Sequence, residues 1–330
     1  MRSLGLLFVA LLALPTAAPA WNRGQVEIFA VLPAGASGPE GIEVGADGTV
    51  YVTTFGFTSS GPAEGVGQLY VFDAGGRLLR QVSIAGSSPH LLGLRLQTPG
   101  ALLVIDFGGQ QVLRVNPHSG TSHVFMTVPP GPMAGLNDLT FDAAGNVYVS
   151  DSFRGVVWKT GPNGGVGTPW VDDPLLRTTG IPPFGANGLR FDKQQSNLFV
   201  ANTGDDTIVR VPVLSDGTAG VPAVFTNSIN GADGLIIDDQ GNLWVAANQA
   251  DEIVVVDAQG KAIAKLGDFD GLSGGAPVHM LFPASLRFHG SDLLVTNLSL
   301  NTHLFGFVTV DTDWSAQVSR YTVVKVGIGR

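Results

Sequence analysis

Four oxygen-bearing side chains stand at the heads of apolar segments in this sequence. They are Glu40 in "PEGIEV", Asn137 in "LNDLTF", Asn187 in "ANGLRF" and Asp233 in "ADGLII". A carboxylate buried alone at the mouth of an apolar strand costs several kcal/mol unless it is paired or binds a metal. Two carboxylates and two amides brought together would form a site for a hard divalent cation. Asp-Gly and Asn-Gly are also common turn dipeptides, so the same residues could simply turn the chain. The choice depends on whether the fold gathers them.

The elements that would position them repeat. An apolar strand, a turn rich in Asp, Gly or Asn, a second apolar strand ending in a polar residue and a third strand occur six times. "NDLTFDAAGNVYVSDS" followed by "GVVWKTGPNGG" is one copy, and "DGLIIDDQGNLWVAAN" followed by "DEIVVVDAQGK" is another. The copies open at Glu40, Leu92, Asn137, Asn187, Asp233 and Ala284, with spacings of 52, 45, 50, 46 and 51 residues. A period near fifty with short alternating strands predicts an all-β, six-bladed β-propeller with four-stranded antiparallel blades around a central channel. The third strand of the sixth copy is expected in "THLFGFVTVDT". Either "QVEIFAVL" (25–32) or "SRYTVVKVGI" (319–328) would complete the last blade.

In such a ring the six opening residues encircle the axis. Turn chemistry alone would favour polar residues at all six, yet Leu92 and Ala284 are apolar, which supports a cation site. Gly41, Gly188 and Gly234 beside the ring would let backbone and ligand approach closely.

Composition narrows the function. Residues 1–20 read as a signal peptide, with Arg2, an apolar run over Leu4–Leu14 and a small-x-small site at Ala18-Pro19-Ala20. The expected product is an exported propeller over 21–330, periplasmic or extracellular, with no membrane association after cleavage. Net charge is −9, or −10 without Arg2, which argues against nucleic acid and anionic membranes. The chain has no cysteine, excluding thiolate chemistry and Cys-type zinc sites. No Gly-x-Ser-x-Gly elbow supports a serine triad.

The motifs "PEGIEV", "LNDLTFDAAGNVYVSD", "ANGLRFD" and "ADGLIIDDQGNLWVA", in this order, resemble the senescence-marker-protein/gluconolactonase family of six-bladed propellers. The resemblance implies one divalent metal held by Glu40, Asn187 and Asp233, Ca²⁺ foremost, with Mg²⁺, Mn²⁺ or Zn²⁺ as substitutes. It further implies substrate or water contact by Asn137, and Asp233 as the general base of a lactone or ester hydrolase acting on a small molecule. Animal members carry an Arg two residues before that Asn. Gly135 stands here, which makes a sugar lactone less expected and permits a more apolar substrate.

Two more substrate contacts are expected by position. His90 in "SPHLLGL" lies at a blade entrance, though a lone His is more often structural. Asp151 closes the second strand of the blade that holds Asn137. It belongs to a second ring, Thr54, Asp106, Asp151, Asn202, Ala247 and Asn297, whose side chains either bond blade to blade or reach the channel. Pro-rich segments 128–135 and 178–187 are either an apolar rim, with Met133 and Phe184, or rigid connectors. The competing reading is a non-catalytic propeller that binds a small ligand or a protein around a structural ion. A strictosidine-synthase-type enzyme is disfavoured because that class lacks the full metal set.

Overall fold

In a computed structural model, which describes residues 23–328, the chain is an all-β, propeller-like fold. The expected signal peptide lies outside the described residues. Six antiparallel meanders of four strands follow one another, four of them as separate sheets. The second and third join into one eight-stranded sheet through a short parallel pairing of Met126–Thr127 with Gly165–Val166. The first strands of the meanders are Pro39–Val44, Leu91–Thr98, Leu136–Phe141, Ala186–Phe191, Ala232–Ile237 and Pro283–His289. Each packs against the next, and the sixth packs against the first, so these inner strands form a closed ring.

Burial follows radial position. Second strands such as Val147–Asp151 and Leu243–Ala247 are buried throughout, because both faces meet neighbouring sheets. Outer strands such as Ala262–Leu266 are partly exposed. The Asp-rich hairpin turns are explained by turn chemistry. Asp238 accepts from the backbone N–H groups of Gln240 and Asn242, both at 2.9 Å, and from the Trp244 indole at 3.0 Å.

Both terminal segments, rather than one, complete the last sheet. Thr322–Gly327 is its third strand and Val26–Val31 its outermost, paired antiparallel from Val26–Val326 to Val31–Thr322. The expected third strand at 302–312 is not one. That stretch forms a 3₁₀ turn at Thr302–Phe305, ends in Gly306 at φ 79°, and is pinned by a Thr302–Thr312 hydroxyl contact of 2.6 Å. Its apolar residues Leu304, Phe305, Val308 and Val310 are exposed.

All six inner hairpins carry a bulge at the same place, between Pro39 and Ile42 in the first and between Ala232 and Leu235 in the fifth. The second bulged residue presses on the next meander, which explains the glycines. A Cβ at Gly188 would stand 2.5 Å from the carbonyl oxygen of Asp233, and one at Gly234 2.6 Å from that of Ala284. These glycines therefore serve backbone-to-backbone approach between meanders. Gly188→Ala is expected to destabilise the fold by about 3 kcal/mol, since rigid backbone must move. An unchanged urea midpoint would contradict this packing role.

Candidate active site

The bulge is what aims the candidate residues, since an extra residue in one strand redirects a side chain. The first bulged positions are Glu40, Leu92, Asn137, Asn187, Asp233 and Ala284, and all six are buried. All but Ala284 line one cavity at the end of the channel, about 400 Å³ including its open mouth. Asn248 and Thr203 complete its polar wall. Phe55, Phe184, Phe282, Leu298 and Leu300 contribute to the apolar wall.

Asn248 and Thr203 belong to a ring that sequence reasoning missed by one position. Phe55, Phe107, Ser152, Thr203, Asn248 and Leu298 each follow a member of the expected second ring. Alternation in a strand sends neighbours to opposite sides, and the polar character of Ser152, Thr203 and Asn248 was the available signal. The expected ring itself is structural. Asp106 accepts from Ser88, Gly109 and Gln111, and Asn297 donates to the His279 carbonyl. Asp151 is fully buried away from the cavity wall. Its carboxylate takes the N–H groups of Gly135 (2.8 Å) and Arg154 (3.1 Å) and the Trp158 indole (3.0 Å). His90 stands behind Phe55, with Nδ1 2.8 Å from the Phe55 carbonyl and its ring stacked on Phe57.

Hydrogen bonding leaves the site with acceptors. Thr203 donates to the Ala232 carbonyl (2.7 Å), so its oxygen receives the Asn187 amide (2.9 Å). Ser152 likewise donates to the Ala186 carbonyl and receives the Asn137 amide at 3.3 Å. Asn248 donates to Asp233 Oδ2 at 3.1 Å. Four buried oxygens then have no donor: Glu40 Oε2, Asn137 Oδ1, Asp233 Oδ1 and Asn248 Oδ1. Each such orphan costs about 1–3 kcal/mol. Burial raises the Asp233 carboxyl to about 7 against the opposing pull of Asn248. Burial, then the charges of Asp233 and Asp138, push Glu40 well above the usual range. Among the described residues no three His, Cys, Asp or Glu side chains cluster as ligands. The donor set is instead two carboxylates with amide oxygens, which fits a hard cation.

One wall of the cavity is tied to a separate acid pair. Phe282 donates its N–H to Asp251 Oδ1 at 2.6 Å, and burial together with neighbouring Asp311 raises Asp251 to about 8. A carboxyl with a raised folded-state pKa binds more protons when folded, so its stabilising effect is lost as pH rises from about 4, the unfolded value, through about 8. Asp251→Asn should flatten the fall of melting temperature between pH 5 and 9. Parallel wild-type and variant curves would refute this.

The family model described as "SMP-30/Gluconolactonase/LRE-like region" matches residues 86–267. The chain belongs to this family. The matched region spans meanders two to five and contains Asn137, Asn187 and Asp233. Glu40 falls in a shorter match, residues 28–55, to a strictosidine synthase-like N-terminal model. Lactonase drp35 of Staphylococcus saprophyticus subsp. saprophyticus is 25% identical over 180 residues, covering 52% of this chain and 50% of that protein. The chain thus spans about half the length of the curated relatives it matches. Among solved structures, a luciferin-regenerating enzyme covers 90% of this chain and 93% of its own, with a TM-score of 0.65 and 15% identity. Regucalcin of Agrobacterium tumefaciens, titled a calcium-binding protein, covers 88% and 90%, with a TM-score of 0.62 and 16% identity. These similarities support the fold.

Proposed function

We propose that this chain is an exported, divalent-metal-dependent lactone or ester hydrolase, built as a six-bladed propeller whose blades are the six meanders. The carrying observation is the set of four donorless oxygens at the polar wall of an otherwise apolar cavity, in a chain of the gluconolactonase family whose drp35 relative is named a lactonase. Glu40, Asn137, Asn187 and Asp233, with Asn248, would hold the cation, Ca²⁺ foremost. When bound, it supplies Lewis-acid polarisation of the substrate carbonyl and charge stabilisation of the oxyanion.

The residues themselves account for the proton and the fit. Asn248 orients Asp233 through Oδ2, and the carboxylate so held takes a proton from the attacking water. Water oxygen bonds to the acyl carbon, the acyl–oxygen bond breaks, and the proton passes to the departing alkoxide. Phe153 occupies the space beside Gly135, since a Cβ there would meet its ring at 2.8 Å. Phe153 also packs on Phe107 and on Phe184 of the cavity wall. A long cationic side chain at position 135 is thereby excluded, and among the described residues no Lys, Arg or His lines the cavity. The substrate is accordingly an apolar lactone or ester rather than a polyhydroxy one.

The test is a lactone panel with the mature protein, from glucono-δ-lactone to alkyl-substituted δ-lactones, with EDTA and with Ca²⁺ restored. Activity should vanish with EDTA, return with Ca²⁺ and favour the alkyl lactones by about tenfold or more per two or three buried methylenes. Metal binding without turnover of any lactone or aryl ester would instead identify a binding propeller with a structural ion.

A further inference from the structure

The cavity wall is divided into two contiguous halves. The residues that follow the second strands are Leu298, Phe55 and Phe107 on the sixth, first and second meanders, and Ser152, Thr203 and Asn248 on the third, fourth and fifth. Successive inner strands pack side by side, and the sixth packs on the first. Going round the axis, three apolar positions are therefore followed by three polar ones. On the apolar side Leu92, Phe282 and Leu300 join Phe55 and Leu298 at the cavity, and all five share one buried apolar cluster with Phe107. On the polar side stand three of the four donorless oxygens, those of Asn137, Asp233 and Asn248, while Glu40 of the first meander supplies the fourth.

The halves also differ at their rims. Pro182 and Phe184 line the cavity, and Gln249 Nε2 donates to the Ile181 carbonyl at 3.0 Å. Gln249 belongs to the fifth meander and Ile181 leads into the fourth, so this segment is tied across the polar side. On the apolar side the chain runs from Leu300 at the cavity to Phe305, which is 38% exposed. Asn301 fixes this stretch to the first meander by donating to the Ser59 carbonyl at 2.7 Å. The Phe305 ring is thereby stacked on Phe55, centroids 6.4 Å apart, and stands 4.8 Å from Phe57. Apolar surface leads from the cavity wall to solvent through Phe55 and Phe305.

We propose that the cavity takes an amphipathic molecule, its carbonyl on the third to fifth meanders and a linear hydrocarbon chain lying on Leu298, Leu300 and Phe55 and leaving past Phe305. That the carbonyl end is the one that reacts rests on the hydrolase reading above. A hydrocarbon laid over the donorless oxygens would desolvate them without a partner, which is costly. Against Phe55 and Leu298, each methylene that leaves water is stabilised as in a protein core. A cavity of about 400 Å³ including its mouth is small among ligand pockets, so a longer chain must emerge. The exposed Phe305 ring is the surface it meets, which makes Phe305 a specificity residue for chain length.

Calorimetric titration of the intact protein, with Ca²⁺ present, by δ-lactams carrying ethyl to octyl chains tests this without turnover. Wild-type affinity should rise about three- to fourfold per added methylene. Phe305→Ala should cut the octyl-to-ethyl affinity ratio about fivefold or more. Phe153→Ala, which removes the ring packed on Phe184 at the other side of the cavity, should leave that ratio alone. A ratio cut by Phe153→Ala and untouched by Phe305→Ala would send the chain the other way and overturn the proposal. Wild-type affinity that ignores chain length would overturn it too, and that measurement stands even if a variant fails to fold. Chain-dependent lactam binding without hydrolysis of any lactone would support the chain path and remove the hydrolase reading. Lactone hydrolysis without chain dependence would do the reverse.

Discussion

Asp233→Asn should reduce kcat for lactone hydrolysis by about a thousandfold or more, because it removes a proton acceptor whose role is worth about 10²–10⁴ and weakens the cation site as well. The substitution is nearly isosteric, so the cavity keeps its shape. The Asn248 amide, now 3.1 Å from a carboxylate oxygen, retains a carbonyl to donate to. A stability readout separates this functional loss from misfolding. Burial holds the Asp233 carboxyl up near 7, so above about pH 4 the metal-free fold is penalised for its ionised form. Asn carries no such penalty. Without metal, the variant should therefore melt at or above the wild-type temperature at pH 8, while Ca²⁺ raises the wild-type melting temperature more than the variant's. Residual activity within tenfold of wild type would remove Asp233 from the base role. A lower metal-free melting temperature would remove the argument from burial.

The second large effect concerns stability. Arg95→Met should cost about 3–5 kcal/mol, the usual consequence of removing one partner from a buried ion pair. Arg95 lies 3.7 Å from Glu43 and holds Asp138 through two hydrogen bonds at 2.9–3.0 Å. Its loss leaves Glu43 and Asp138 under-compensated below Glu40 and Asp233. Arg95 also lowers the proton affinity of Glu40, so the variant's Glu40 should hold its proton more tightly and bind Ca²⁺ more weakly. Urea denaturation with and without Ca²⁺ tests both effects. A loss under about 1 kcal/mol would show that these ion pairs contribute little. Partial recovery on adding Asp138→Leu would show that the cost lies in the stranded carboxylate rather than in lost packing.

Much of the candidate site was legible because a repeat converts sequence position into angular position. Glu40, Asn137, Asn187 and Asp233 open successive copies, and the structure brings all four to one cavity. Asp238 and Asp233 show the limit of residue type as a guide. Both precede or follow apolar strand residues by a few positions, yet Asp238 accepts four turn and side-chain donors, whereas Asp233 Oδ1 accepts none. Asn248 and Thr203 were overlooked because the sequence does not reveal which of two adjacent residues at a strand end faces the channel. Thr302–Thr312 looked like a strand because it alternates, but Leu304, Val308 and Val310 are exposed and Phe305 packs on the Phe57 ring instead of in a sheet.

The all-β repeat, the order of the inner strands and the identity of the residues at their mouths were readable from residue order, because short strands with fixed turns leave a period near fifty. Tertiary structure alone decided which of those residues act together. The bulge that turns each mouth residue inward and the hydroxyls that take the Asn137 and Asn187 amides form within single hairpins, 15 and 16 residues apart, but Arg95 and Arg190 reach Asp138 across 43 and 52 residues, and Glu40 faces Asp233 from the far end of the chain. Such partners meet only when the ring closes, and it is closure that leaves four oxygens without donors.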